Sequence, residues 1–212
     1  MLYAVDRYSN RLTAAPKTEG YCPMCEESLI PKCGTIVCWH WAHHARFDCD
    51  PWSEPESEWH LYWKNRALPA QCEVQIGNHR ADIVGRKNTV IELQHSSISP
   101  DEIAEREEHY DNMIWLIDAS PFIDNLSLRQ KTSKWGREYW TFRWKHPRMS
   151  LFAIEKPQYW DLGPDCVEVD GILHVKELHE LPNASGWGYI VDEDRWAEHW
   201  IGGRHEAQKR LL

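Results

Sequence analysis

The sequence predicts an α/β (α+β) fold: a mixed sheet flanked by helices, preceded by a small metal-binding module and followed by a β-rich extension. Three observations carry this. Cysteines and histidines crowd into residues 21–49. Residues 54–119 read as helix, strand, strand, strand, helix, strand. Beyond residue 120, short aromatic-rich segments replace helical periodicity. The expected domains are 1–50 (strands and metal module), 51–120 (core) and 121–212 (β-rich region with a terminal helix).

The N-terminal module comes first. Residues 1–20 alternate weakly and end in Pro16 and Gly20, so they read as one or two short strands. Then come Cys22-Pro-Met-Cys25, fourteen residues, and His40-Trp-Ala-His43. A CxxC followed by HxxH at this gap is a zinc pattern. Cys22, Cys25, His40 and His43 would form a closed tetrahedral site, structural rather than catalytic. Cys33, Cys38 and His44 stand nearby as substitutes, and reduced buried thiols are the metal-free alternative. A zinc deaminase order, H-x-E before P-C-x-x-C, is absent.

The core opens with Ser53 and Glu56 spaced as a capping box, predicting a helix over 54–67. Segments 71–77, 79–85 and 89–95 alternate as strands, with Arg86-Lys87-Asn88 as the turn that sets Asp82 opposite Glu92. Ser99, Pro100 and Glu102 give the N-cap, N1 and N3 of a helix running to about Asn112, with Ile103, Arg106 and Tyr110 on one face. MIWLIDA (113–119) reads as a buried strand. Farther on, YWTFRW, MSLFAI, YWDL, VEVDGILHVKEL and GYIVDEDRW suggest strands, with a last helix at 192–200.

Acids punctuate the core at Glu58, Asp82 and Glu92, and Gln94 shares the sheet face of Glu92. A carboxylate inside an apolar strand is costly unless paired or metal-bound. Two on paired strands suit Mg²⁺ or Mn²⁺, hard ions that accept a few carboxylates and keep waters. The alternative is a chance hairpin pattern. Asp82-x9-Glu92-x-Gln94 resembles the PD-(D/E)xK nuclease signature with Gln in the Lys position. Lys64 or His60 of the first helix is a candidate for the missing cation.

The net charge of −9 argues against non-specific nucleic-acid binding. Residues 121–150 nevertheless hold seven Lys/Arg against two acids. Lys131, Lys134 and Arg137, with Trp135, Tyr139, Trp140 and Trp144 interleaved, suit DNA backbone and unpaired bases. Lys64 and Arg106 are further candidates for nucleic-acid contact. The alternative is an amphipathic strand region with solvated cations. No apolar run of about 18 residues occurs and the start lacks a signal-peptide pattern, so a cytoplasmic protein with no membrane span is expected.

CPMC, LIPK (29–32), HWAH, SEWHLYWK (57–64), HRADI (79–83), VIELQHSSIS (90–99), EIAEREEHY (102–110) and MIWLID together resemble the competence protein CoiA-like family, collinear over residues 22–118. The resemblance implies a restriction-endonuclease-like domain behind a zinc-binding segment. It implies Glu58, Asp82, Glu92 and Gln94 as the active-site set and Cys22, Cys25, His40 and His43 as zinc ligands. It also implies DNA processing in recombination or natural competence, with DNA and recombination proteins as partners. A non-catalytic DNA-binding or mediator protein on the same scaffold is the rival.

Overall fold

The computed structural model describes residues 1–35, 38–44, 49–163, 166, 169–180 and 183–202. The chain divides into two compact units, Met1–Val84 and Gly85–Leu212.

The first unit opens with five short strands: β1 (Tyr3–Val5), β2 (Arg11–Thr13), β3 (Gly20–Tyr21), β4 (Ser28–Lys32) and β5 (His40–His43). They form an antiparallel sheet in the order β2-β1-β3-β4-β5. Its core is small: Met1, Ala4, Ala14, Cys22, Leu29 and Trp41. Gly20 is required there, because a Cβ would stand 2.7 Å from the Trp41 ring and 2.8 Å from Ala4 Cβ. The Trp41 indole N–H donates to the Leu12 carbonyl at 3.0 Å, so burying it leaves no polar group unmatched.

Helix α1 spans Glu58–Lys64, shorter than the predicted 54–67. Its N-cap is Ser57, not Ser53. The Ser57 hydroxyl accepts from the His60 N–H, and the His60 ring accepts from the Ser57 N–H. Pro55 pushes Glu54 toward extended backbone, so the helix cannot start before it. Strands β6 (Cys72–Ile76) and β7 (His79–Val84) pair as a hairpin through Gly77-Asn78, with Ile76 opposite His79 and Gly77 at φ 63°. Along β7 His79, Ala81 and Ile83 are buried. Asp82 alternates to the other side.

The second unit contains β8 (Val90–Gln94), α2 (Pro100–His109), β9 (Met113–Asp118), β10 (Leu126–Thr132), β11 (Glu138–Trp144), β12 (Gln158–Asp161), β13 (Ile172–His179), β14 (Ser185–Val191) and α3 (Glu193–Trp200). Its strands run in the order β10-β11-β14-β13-β12-β9-β8. β9 is parallel to both β8 and β12, and the other pairs are antiparallel, giving a mixed sheet. Every residue of β8, β9 and β12 is buried, as parallel strands covered on both faces require. α2 has Ser99 as N-cap and Pro100 at N1, and Ile103, Arg106 and Tyr110 are all buried. It links parallel neighbours β8 and β9, the crossover expected from the sequence.

Two predictions fail in the C-terminal part. MSLFAI forms a 3-10 turn over Met149–Ala153 rather than a strand. Trp144 belongs to the core: it packs on Phe122 at 4.7 Å and on Trp160 at 5.0 Å. Strand alternation is the reason, since even-numbered positions of β10 and β11 (Leu126, Leu128, Phe142, Trp144) turn inward. Trp140, also even-numbered, shares that parity. Among the described residues, no helix is long and apolar enough to cross a membrane.

Candidate functional site

The first unit brings Cys22, Cys25, His43 and Cys49 together, with their ligand atoms all within 4.8 Å of one another. Cys22 Sγ lies 3.5 Å from Cys49 Sγ, and Cys25 Sγ lies 3.3 Å from His43 Nε2. Tetrahedral zinc with ordinary bond lengths spaces S–S edges by ~3.8 Å and S–N edges by ~3.5 Å. The cluster therefore fits a structural zinc site of three thiolates and one imidazole. A tight turn presents the first two ligands: the Cys22 N–H donates to Glu27 O, and the Glu26 N–H donates to Cys22 O with Glu26 at φ 61°. Burial first, and the Cys22 thiol second, push the Cys49 thiol well above its ordinary range. Burial also raises Cys25. A cation at the centre is what makes thiolates stable in such a place.

His40 is not in the cluster, a correction to the predicted ligand set. HWAH is a strand, and in a strand residues i and i+3 point to opposite faces. His43 turns toward the cysteines, while the His40 ring meets the Cys38 carbonyl at 2.8 Å. Cys49, which the sequence reading missed, fills the fourth vertex. Strand alternation in HWAH was the available signal, because it demands a ligand from elsewhere. Cys33, Cys38 and His44 stay outside the cluster.

A second constellation in this unit surrounds Lys64. Its Nζ lies 2.6 Å from Glu56 Oε1, 3.2 Å from Glu73 Oε1 and 3.1 Å from Asp82 Oδ1. The lysine side chain is 3% exposed and that of Asp82 is 22% exposed. Burial works against the ammonium, but Glu56, Asp82 and Glu73 together raise Lys64 well above its ordinary value. Burial likewise opposes ionisation of Glu73. Lys64, the terminal ammonium, Arg80 and the Leu2 N–H outweigh it and hold Glu73 below the usual carboxylate range. The Glu73 carboxylate accepts from the Leu2 and Tyr3 N–H groups at 2.7 and 3.0 Å.

Lys64 is thus buried among acids and does not present a cation to nucleic acid, contrary to expectation. Glu58 stands exposed at the first position of α1, where its charge favours the helix N-terminus. The carboxylate that reaches the lysine from this region is Glu56, two residues earlier.

In the second unit, Glu92 and Gln94 lie on β8, both buried. Glu92 Oε2 accepts from Arg106 Nη1 at 2.7 Å, and Arg106 Nε donates to Glu102 Oε1 at 3.1 Å. The guanidinium is 3% exposed and lies 5.9 Å from the Trp115 ring centre. Arg106, expected to contact nucleic acid, serves instead as the internal counter-ion of Glu92. Gln94 Nε2 donates to Ser96 O at 3.1 Å. Immediately after β8, His95 Nδ1 meets Asp118 Oδ2 at 2.6 Å, a pair that sequence reasoning did not single out. Lys131, Lys134 and Arg137 are exposed on β10 and the β10–β11 turn.

Two family models match the chain: the N-terminal domain of competence protein CoiA over residues 5–51, and the nuclease-like domain of competence protein CoiA over residues 58–161. No curated protein and no solved structure gives a significant match.

Proposed function

The chain belongs to the competence protein CoiA family, and from that premise we propose that its nuclease-like domain hydrolyses DNA phosphodiester bonds with Mg²⁺ or Mn²⁺. The observation that carries this reading is Lys64 Nζ at 3.1 Å from Asp82 Oδ1. The sequence motif has Gln94 where a lysine is usual. Helix α1 supplies an ammonium beside the motif's aspartate instead.

The donor chemistry suits a hard divalent cation. Within ion-pair distance, three carboxylates meet the Lys64 and Met1 ammonium groups, and Asp82 is the most solvent-open of the three. Asp82 would be the metal-holding acid of this cluster; Glu92, the motif's second acid, is held in the other unit by Arg106. A bound Mg²⁺ supplies Lewis acidity and a water of lowered pKa. Lys64 pairs with Asp82 and positions its carboxylate. Zinc at the cysteine cluster would hold the first unit's sheet together.

The test is cleavage of single-stranded, duplex and branched DNA by wild type and by Asp82→Asn, with Mg²⁺ or Mn²⁺ added. Metal-dependent cleavage that falls at least ~100-fold in the variant supports the reading, since one lost charge interaction at a reacting centre costs a few kcal/mol. Undiminished cleavage in Asp82→Asn refutes the assignment. A second reading has its own observation: Arg106 already neutralises Glu92. On that reading the scaffold binds DNA without cutting it, as a mediator of recombination or competence. Wild type that binds DNA but cleaves no substrate would establish it.

A further inference from the structure

The second unit carries a groove that neither carboxylate cluster uses. Its floor is the outward side of β10, β11 and β14. Arg129 stands opposite Thr141, which stands opposite Trp187. Lys131 stands opposite Tyr139, and Arg143 lies between Ser127 and Ser185. All are odd-numbered, so strand alternation places them together on the face away from Leu128 and Phe142. The groove has a volume of about 960 Å³. Arg129, Lys131, Arg137 and Arg143 line it, and no carboxylate does among the described residues. On the neighbouring β13, Glu177 is tied to His179 at 3.3 Å.

Aromatic rings run through the same groove. Tyr139 and Trp187 meet edge to face at 5.9 Å, and Trp187 and Tyr189 at 5.6 Å. Arg137 sits 5.6 Å from the Tyr189 ring centre. Trp135 stands at the β10–β11 turn, 81% exposed. A row of aromatic surfaces beside several cations is the arrangement that stacks bases while pairing phosphates. Base faces are open in a single strand and hidden in a duplex. In a chain of net charge −9, this acid-free concavity is where a polyanion can settle.

We propose that the groove between β10, β11 and β14 binds single-stranded DNA, with phosphates on Arg129, Lys131, Arg137 and Arg143 and bases stacked on Trp187 and its tyrosine neighbours. This deepens the preceding reading by naming its substrate class, unpaired DNA. Binding at the groove does not require cleavage.

The experiment uses the full chain and a fluorescent oligothymidylate, read by anisotropy without added Mg²⁺ or Mn²⁺. Four phosphate contacts predict a log–log salt slope of about −2.8, so affinity falls ~50-fold between 50 and 200 mM salt. Arg129→Gln with Arg143→Gln should halve that slope. Trp187→Ala should weaken binding ~10-fold, and Trp187→Phe should restore most of it. Thermal melts identify any variant that fails to fold; Tyr189→Leu then serves as the second probe of stacking. Wild-type affinity in folded groove variants overturns the proposal. So does a duplex of the same length binding as tightly, single-stranded RNA binding more tightly, or poly-glutamate displacing the oligonucleotide as well as unlabelled oligothymidylate does. Binding here, with no cleavage when Mg²⁺ or Mn²⁺ is added, would refute hydrolysis and leave the groove standing.

Discussion

Replacing Cys49 by alanine should weaken zinc binding at the cysteine cluster, whereas replacing His40 should not. The donor atoms of Cys22, Cys25, His43 and Cys49 lie within 4.8 Å of one another, so each residue supplies one vertex. Structural zinc binding coupled to folding is worth about 10–16 kcal/mol, so one ligand of four carries roughly 2.5–4 kcal/mol. At 1.4 kcal/mol per decade, Cys49→Ala should weaken zinc binding ~10²–10³-fold. The assay is metal content after dialysis, followed by competition with a chromophoric chelator. Cobalt substitution adds a second readout: three thiolates give stronger sulfur-to-metal charge-transfer absorption than two. Zinc loss in His40→Ala, with zinc retained by Cys49→Ala, would refute the reasoning. It would mean that HWAH does not present its histidines as a strand does.

Lys64→Met should destabilise the fold by about 3–5 kcal/mol in urea unfolding, because it strands Glu56, Glu73 and Asp82 beside one another. Lys64→Arg should lose less, and a loss below ~1 kcal/mol for Lys64→Met would contradict the burial argument. His174, half-buried and stacked on Tyr159 at 4.3 Å, is lowered to about 4 by burial and then by Lys176. The unfolded chain therefore binds more protons than the folded one between pH ~6.5 and ~4, and stability falls as pH drops through that window. The full shift is worth about 3 kcal/mol, and solvent screening at a half-buried site reduces it to about 1–2 kcal/mol. His174→Gln should flatten the profile of melting temperature against pH there by that amount; an unchanged profile would refute it.

The sequence by itself determined what depends on neighbours along the chain. Ser99, Pro100 and Glu102 set the start of α2, and its crossover into the apolar run 113–118 followed, because capping and hydrophobic periodicity are local. CxxC determined two metal ligands, because a turn brings residues three apart together. Tertiary structure decided the rest. It chose Cys49 over His40, since HWAH folds as a strand against β4 and only one of its histidines can face inward. It put Lys64 and Arg106 beside carboxylates, where burying either charge alone would be prohibitive. It sorted the tryptophans too: Trp187 came into the groove from a distant strand and Trp144 went into the core, because pairing register and alternation assign faces that composition cannot.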